Sequence, residues 1–280
     1  NRADAIAMGF VADTQFSVDR GFYDAPFDVE ISTSTAGASI VYTTDGTEPR
    51  LQNGTPVSAP DASSPPVATL RIDKTSVLRA AAFKDNYVPT NIDAQTYLFV
   101  EDIIRQDLQA TLTAGFPGTW KGVTPDYGMD RNVIGPQGQD MFDGRFAATI
   151  RDDLKAIPTM SLVMDIDDMF GPQGIYSNTS ERGQPWERPV SVEYIDPVGG
   201  EDFQVEAGIR VQGNAHRREG RNKKSFRLFF KDLYGAPKLE FPLFAAGATD
   251  RFDRITLRAN WGDGWLWDQG TNAQSAHYAR

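Results

Sequence analysis

Between residues 10 and 100 the chain is a series of short apolar and polar alternations, separated by Gly, Pro, Asn and Asp. The clearest of them begins at Phe27, where Phe27, Val29 and Ile31 alternate with polar residues. Successive side chains of a β-strand point to opposite faces, so this period indicates strands with one buried face. Short strands at this spacing are typical of a β-sandwich of immunoglobulin-like size. The first hundred residues are therefore predicted to be all-β.

The predicted strands of this module cover residues 27–31, 40–42, 67–72, 77–83 and 94–100. Residues 52–66 are rich in Pro, Ser and Ala, and we predict that they form a long polar loop.

The pattern changes after residue 100. Ile103, Ile104 and Leu108 fit one face of a helix, an irregular segment rich in Gly and Pro follows, and a second helix is predicted over 142–155. Further strands are predicted at 159–164, 188–195, 203–212, 225–231 and 252–258. These patterns divide the chain into three parts. They are a β-sandwich module over 10–100, a helical and irregular linker over 101–156, and an α+β domain over 157–280 that is incomplete at its end.

The composition excludes several classes of function. The chain has 280 residues, no cysteine and two histidines, which excludes disulfides and cysteine-ligated zinc and argues against a His-rich metal site. Its formal net charge of −10 argues against nucleic-acid binding, which relies on positive charge to displace counterions. No apolar run approaches the roughly 20 residues that a membrane helix needs. We expect neither a nucleic-acid partner nor membrane insertion.

Both ends of the chain are unlike natural termini. The first ten residues lack the pattern of a signal peptide, and residues 273–280 stop within a helical pattern. We expect the chain to be a piece of a longer protein.

A stripe of Arg and Lys is the strongest functional signal. Seven of the fifteen residues from 217 to 231 are Arg or Lys, against one acid, Glu219. The alternation on both sides of the Gly213-Asn214 turn predicts a hairpin with a basic tip. Backbone amides of a glycine turn, with guanidinium groups and a lysine nearby, provide what a phosphate group needs. The alternative is a solvated hairpin whose cations keep a sheet edge from pairing with other chains.

One block of the N-terminal part reads Tyr-Thr-Thr-Asp-Gly-Thr-Glu-Pro at 42–49, followed by Thr-Ser-Val-Leu-Arg-Ala at 75–80 and Gln-Thr-Tyr at 95–97. Over about residues 16–100 the chain resembles the chitobiase C-terminal-like module, a small immunoglobulin-like β-sandwich of secreted bacterial proteins. Asp45-Gly46 supplies a tight turn, and Pro49 prevents the ladder from continuing. We interpret these residues as determinants of the fold, not as catalytic groups.

Six blocks follow one another in the last part of the chain. They read Ile-Pro-Thr-Met-Ser-Leu at 157–162, Gly-Ile-Tyr-Ser-Asn at 174–178, Trp-Glu-Arg-Pro-Val-Ser-Val-Glu at 186–193, Gly-Ile-Arg-Val-Gln-Gly-Asn at 208–214, Lys-Lys-Ser-Phe-Arg-Leu at 223–228 and Leu-Phe at 243–244. In this order they resemble the CotH family of spore-coat protein kinases. The resemblance implies a diverged protein-kinase-like fold that binds ATP with Mg or another divalent cation. It also implies phosphorylation of hydroxyl side chains on extracellular or surface proteins, by a parent protein that is secreted or on the cell surface.

The resemblance implies six nucleotide-binding residues: Gly213, Asn214, Arg217, Lys223, Lys224 and Arg227. The Gly213-Asn214 turn and Arg217 would lie near the phosphates, and one lysine would act as the kinase strand lysine. Neighbouring side chains in a strand point to opposite faces, so only one of the two lysines would reach the site. The sequence leaves the choice open: we favour Lys224, although Arg227 shares its face with Lys223.

The chain departs from the CotH pattern in two ways. Where relatives commonly read Gly-Asn-Ser-Ser-Arg, residues 213–217 read Gly-Asn-Ala-His-Arg, so two hydroxyl donors are missing. His216 would either replace one of them or be exposed to solvent. The metal-binding and catalytic aspartates of the family lie further along, so catalytic residues are expected beyond Arg280 and no metal ligand is assigned. The alternative function is a non-catalytic extracellular scaffold or adhesion module that retains the fold.

Two other groups of residues have competing interpretations. We predict that Asp165, Asp167 and Asp168 cap a turn before Gly171 and are not catalytic. The three tryptophans within 261–267 would either stack on a sugar or adenine ring or form a packing core.

Overall fold

A computed structural model of the chain describes residues 9–120, 122–125, 127–130, 133–134, 144–214, 217, 224–244 and 247–259. These residues are mostly β-sheet, with a few short helices. The chain forms two compact units: unit 1 comprises 1–115, 127–165 and 191–204, and unit 2 comprises 116–126, 166–190 and 205–280. The unit limits do not follow the domain limits predicted from the sequence, because residues 157–165 and 191–204 group with the N-terminal module. That the predicted domains fold independently of each other stays a prediction.

Unit 1 contains the predicted β-sandwich. Its strands are β1 (Gln15–Phe16), β2 (Gly21–Phe22), β3 (Phe27–Ser32), β4 (Ser39–Thr43), β5 (Thr55–Ser58), β6 (Val67–Ile72), β7 (Ser76–Phe83) and β8 (Asp93–Leu98). One sheet has the order β1-β3-β6 and the other has the order β2-β8-β7-β4-β5. The pairs are antiparallel, except that β2 runs parallel to β8.

Strand β5 corrects the predicted loop over 52–66. It pairs with β4 in an antiparallel register that sets Pro56 opposite Val41. Proline has no N–H to donate to a ladder, and it is tolerated here because β5 lies at the end of the sheet order. The proline and serine content of the segment therefore concealed an edge strand.

The core of the sandwich forms where the two sheets face each other. Val29 and Ile31 of β3, Ile40 of β4 and Leu78 of β7 are all fully buried. Tyr97 of β8 is also fully buried, and its hydroxyl donates to the carbonyl oxygen of Val18 at 2.9 Å, so its one polar group is satisfied. The alternating apolar residues that predicted β3 thus include Val29 and Ile31, which point into this core.

The remaining described elements of unit 1 are the helices α1 (Val100–Ile103), α2 (Leu108–Thr113) and α3 (Arg145–Leu154), the strand β9 (Thr159–Val163) and most of β10 (Arg188–Ile195). Asp107 caps α2 by accepting from the N–H of Ala110 at 2.7 Å, which is why the predicted first helix is two short ones. Strand β9 pairs with β10 in an antiparallel register.

Unit 2 contains α4 (Ile166–Phe170), a 3-10 turn at Gln184–Trp186, most of β11 (Phe203–Gln212), β12 (Ser225–Phe229), β13 (Leu239–Glu240), β14 (Arg251–Phe252) and β15 (Arg254–Leu257). Strand β12 pairs with β11 on one side and with β15 on the other, both antiparallel. Trp120, Phe170, Tyr176 and Phe226 pack in a chain of ring contacts, with centroids 5.3–5.8 Å apart. The predicted 252–258 strand is divided at Asp253, whose carbonyl accepts from the N–H of Phe230.

The acidic cluster that was predicted to cap a turn lies at α4. Asp167 and Asp168 are in its first turn, where acids favour the positive end of the helix. Asp168 forms an ion pair with Arg188 at 3.2 Å, and the carbonyl of Asp167 accepts from the N–H of Gly171 at 2.8 Å. That these residues are not catalytic stays a prediction.

The described helices are short, and none of them combines the length and the apolar character that a membrane crossing requires.

Replacing Asp93 by Asn should change how the stability of unit 1 depends on pH. Burial raises the pKa of Asp93 above its ordinary value, helped by the charge of Asp13 and opposed by a hydrogen bond from Thr14. A raised native pKa stabilises the fold below the unfolded pKa, near 4, and that contribution is lost as pH rises through the native pKa. The Asn variant should therefore gain stability relative to the wild type as pH rises from about 4 through the native pKa of Asp93. Urea unfolding across this range is the measurement, and parallel profiles for the two proteins would contradict it.

Candidate arginine cleft

Unit 2 contains a cleft of about 190 Å³ that is lined by strands β11 and β12 and by two turns. Four of its lining residues are arginines: Arg182, Arg210, Arg217 and Arg227. We call it the arginine cleft. Trp186 and Phe229 add aromatic surface, and Glu181 is its one acidic lining residue.

Two of the arginines come from paired strands. In the antiparallel register of β11 and β12, Arg210 lies directly opposite Arg227. Residues directly opposite each other share one face of a sheet, and like charges in such positions repel. The guanidinium of Arg210 lies over the ring of Phe229, 4.3 Å from its centroid, and Nε of Arg227 donates to Oγ1 of Thr256 at 3.3 Å. Both cations are thus held on the cleft side of the sheet.

The two turns contribute the other two arginines. Gly183 has φ +87° and Gly213 has φ +108°, in the left-handed region that favours glycine. Next to them, Nη2 of Arg182 donates to Oδ1 of Asn214 at 3.3 Å. The contact joins two segments that lie far apart in the sequence.

Arg217 is the most constrained of the four. Its Nε donates to the carbonyl of Thr179 at 2.8 Å, and its Nη2 donates to the carbonyl of Glu181 at 2.5 Å. Burial, with the charge of Arg182, lowers the pKa of Arg217 from its ordinary value. An arginine nevertheless remains a cation in a protein, so the cleft keeps this charge.

A buried carboxylate supports one wall of the cleft. The side chain of Glu187 is 1% exposed, and its Oε1 accepts from Nζ of Lys231 at 2.6 Å and from the hydroxyl of Tyr234 at 3.0 Å. Its Oε2 forms an ion pair with Nη2 of Arg210. Burial opposes ionisation, but the hydrogen bonds from Lys231, Tyr234 and Arg210 hold the pKa of Glu187 below its ordinary value. Burial and this carboxylate raise the pKa of Tyr234 to about 12.

Three of the six predicted nucleotide-binding residues line the cleft: Gly213, Arg217 and Arg227. Asn214 lies beside them and contacts Arg182. Lys224 is 4% exposed, its backbone N–H donates to the hydroxyl of Tyr176 at 3.3 Å, and it is not among the lining residues. Lys223 lies outside the described residues, as do His216 and the tryptophans of 261–267. The choice between Lys223 and Lys224 stays a prediction.

Sequence reasoning missed Arg182 and Arg210 as members of this site. A signal for Arg210 was present, since strand pairing around the 213–214 turn sets it opposite Arg227. No local pattern connects Arg182 with residues 210–227.

Among the described residues, no group of three or more His, Asp or Glu side chains could hold a metal ion.

Comparison with known proteins identifies the N-terminal module. Residues 18–93 match the family model of the chitobiase/beta-hexosaminidase C-terminal domain, which confirms the predicted resemblance and the immunoglobulin-like β-sandwich of this part. The match lies outside the arginine cleft. A search of curated proteins found no match. One similar solved structure is a superoxide reductase (neelaredoxin) from Ignicoccus hospitalis, with 17% identity over 34% of this chain and 86% of that chain, and a TM-score of 0.22.

Proposed function

We propose that the arginine cleft binds a phosphate-bearing ligand, and that the parent protein is a secreted or cell-surface kinase of the CotH type. In this proposal the ligand is ATP with Mg or another divalent cation, and the phosphorylated partner is an extracellular or surface protein. The six ordered blocks over 157–244 support the family part of the proposal. The cleft itself supports the ligand part.

The pairing of Arg210 with Arg227 is the observation that carries the proposal. Two cations directly opposite each other weaken a sheet unless something offsets their repulsion. Glu187 forms ion pairs with both Arg210 and Lys231, so one negative charge is shared between two cations and does not offset Arg227 as well. A multivalent anion with several oxygen acceptors would offset the positive charge that remains.

The formal charge is also distributed unevenly between the two units, and the unit that contains the cleft is the positive one. Unit 1 contains 25 Asp and Glu against 12 Lys and Arg, a formal net charge of −13. Unit 2 contains 13 acids against 16 bases, a formal net charge of +3. An acidic protein that collects arginines in one concave site concentrates positive potential there, which favours an anionic ligand.

The residues of the cleft fit the phosphates of a nucleotide. Guanidinium groups are planar and match phosphate oxygens in bidentate pairs, and the four arginines of the cleft, Arg210 and Arg227 with Arg182 and Arg217, would hold them. Trp186 would offer a ring face for a base. A bound nucleotide supplies a terminal phosphoryl group for transfer, and the role of these residues is to bind and orient it. No described residue is assigned to the divalent cation.

A non-catalytic extracellular scaffold is the second candidate, and Lys224 is the observation that favours it. The kinase strand lysine contacts phosphate, whereas Lys224 is buried and does not line the cleft. A scaffold would use the same arginines to hold a phosphate-bearing partner without transferring the phosphoryl group.

Calorimetry of the full chain with ATP, ADP and adenosine, with and without Mg, tests the proposal. We expect ATP and ADP to bind, and adenosine to bind at least about tenfold more weakly, since one charge-assisted contact corresponds to about that factor. Affinity should fall as salt rises, because the contacts are ionic. Absence of nucleotide binding at millimolar concentration would exclude the kinase proposal. Binding of inorganic pyrophosphate alone, without ATP, would support the scaffold.

A further inference from the structure

The buried carboxylate of Glu187 lies among three polar partners, Arg210, Lys231 and Tyr234. A carboxylate in a buried position loses its hydration, and it is retained there only when hydrogen bonds and opposite charges replace the water. Glu187 has three such partners, and two of them, Lys231 and Tyr234, lie outside the cleft lining. The third, Arg210, lies in it.

Gly208 makes this cluster possible. A Cβ atom at this position of β11 would lie 2.5 Å from Cε2 of Tyr234 and 2.8 Å from Cγ of Glu187. Both distances are far below van der Waals contact, so only glycine allows the two side chains to approach the strand. The register also sets Gly208 opposite Phe229, the ring on which the guanidinium of Arg210 rests.

We propose that Glu187 is a positioning residue of the arginine cleft: it fixes the guanidinium of Arg210 opposite Arg227, so that one phosphate group contacts both. The inference rests on the proposed binding of a phosphate-bearing ligand. Lys231 and Tyr234 hold one oxygen of Glu187, and the other oxygen faces Arg210. The ring of Phe229 limits the guanidinium from a second direction. A long side chain that would otherwise adopt many rotamers is thereby ordered before the ligand arrives, which lowers the entropic cost of binding.

Glu187→Asp separates this geometric role from charge, because the variant keeps the carboxylate and withdraws it by one methylene group. We expect the affinity of the full chain for pyrophosphate, measured by calorimetry, to fall about tenfold, as for the loss of one charge-assisted contact. In an Arg210→Ala background the same change should alter affinity less than about twofold, since the residue that it positions is absent. Glu240→Asp, at an exposed ion pair with Arg251 in unit 2, is the matched control and should leave affinity unchanged.

A second variant covers the case in which Glu187→Asp does not fold. Tyr234→Phe removes one donor to Glu187 and keeps the ring, so it should weaken binding in the wild-type background and not in the Arg210→Ala background. Equal losses in both backgrounds would show a purely structural role and overturn the inference, while the proposed function would stand. If the wild-type chain binds neither pyrophosphate nor nucleotide, the proposed function and the inference both fail.

Discussion

Glu193→Ala is expected to destabilise unit 1 by about 3–5 kcal/mol, which is the usual cost of removing one partner of a buried ion pair. Glu193 is fully buried on β10, and its Oε1 accepts from Nε of Arg20 and from the backbone N–H of Thr96, both at 3.0 Å. Its Oε2 accepts from the hydroxyl of Thr96. Urea unfolding of wild type and variant at neutral pH is the measurement.

The physical reason is the charge that the substitution leaves behind. The side chain of Arg20 is 14% exposed, so water replaces the lost carboxylate poorly. In the double variant Arg20→Ala/Glu193→Ala neither charge remains unpaired, and its cost should be smaller than the sum of the single costs. Glu48→Ala is the control, because its pair with Arg50 is exposed and should contribute at most about 1 kcal/mol. Similar losses for Glu193→Ala and Glu48→Ala would contradict the prediction.

This experiment also bears on the predicted domain limits. Thr96 lies in the segment assigned to the sandwich module and Glu193 in the segment assigned to the second domain, yet both belong to unit 1. If Glu193→Ala lowers the stability of the module itself, the stability of residues 10–100 depends in part on β10.

Arg217→Ala and Arg227→Ala are each expected to weaken nucleotide binding by about tenfold to a hundredfold, or roughly 1.5–3 kcal/mol, the range for a hydrogen bond to a charged group. Arg227 is the cleaner of the two tests. Its Nε contacts only a threonine hydroxyl among the described residues, whereas Arg217 also satisfies two backbone carbonyls. Calorimetry with Mg-ATP on the full chain measures both variants.

The matched control for these variants is Lys238→Ala, which removes a cation of unit 2 that is paired with Asp253 away from the cleft. Its effect on affinity should be within about twofold. If Lys238→Ala weakens binding as much as Arg227→Ala does, the effect is one of overall charge and the cleft is not the site.

Lys224→Ala tests whether Lys224 is the strand lysine of the kinase proposal. If it is, the variant should weaken binding about as much as Arg217→Ala does, as expected for a strand lysine that contacts phosphate. If Lys223 has that role, or if the protein is a scaffold, Lys224→Ala should lower stability and leave affinity unchanged, because the side chain is buried outside the cleft lining. Thermal unfolding beside calorimetry separates the two outcomes.

Local periodicity was sufficient to predict most strands. The segments 67–72, 188–195 and 203–212 were predicted with the bounds that the structure has, because apolar residues recur on one face of each. The immunoglobulin-like module was also predictable, since its Asp45-Gly46 turn carries its own hydrogen bond, from the N–H of Thr47 to Oδ1 of Asp45 at 3.0 Å. Such features depend on neighbours within a few residues.

The sequence by itself therefore determined the β-sandwich, the basic character of the 217–231 stripe and the membership of Arg217 and Arg227 in one candidate site. Only the tertiary structure decided that Arg182 and Arg210 join them, that Lys224 is buried, and that Glu193 belongs with Arg20. The physical reason is sequence separation. Arg20 and Glu193 are 173 residues apart, and a single ion pair between distant strands leaves no period or composition in either segment. Burial and pairing of charges arise only when sheets stack, so they follow from the fold as a whole.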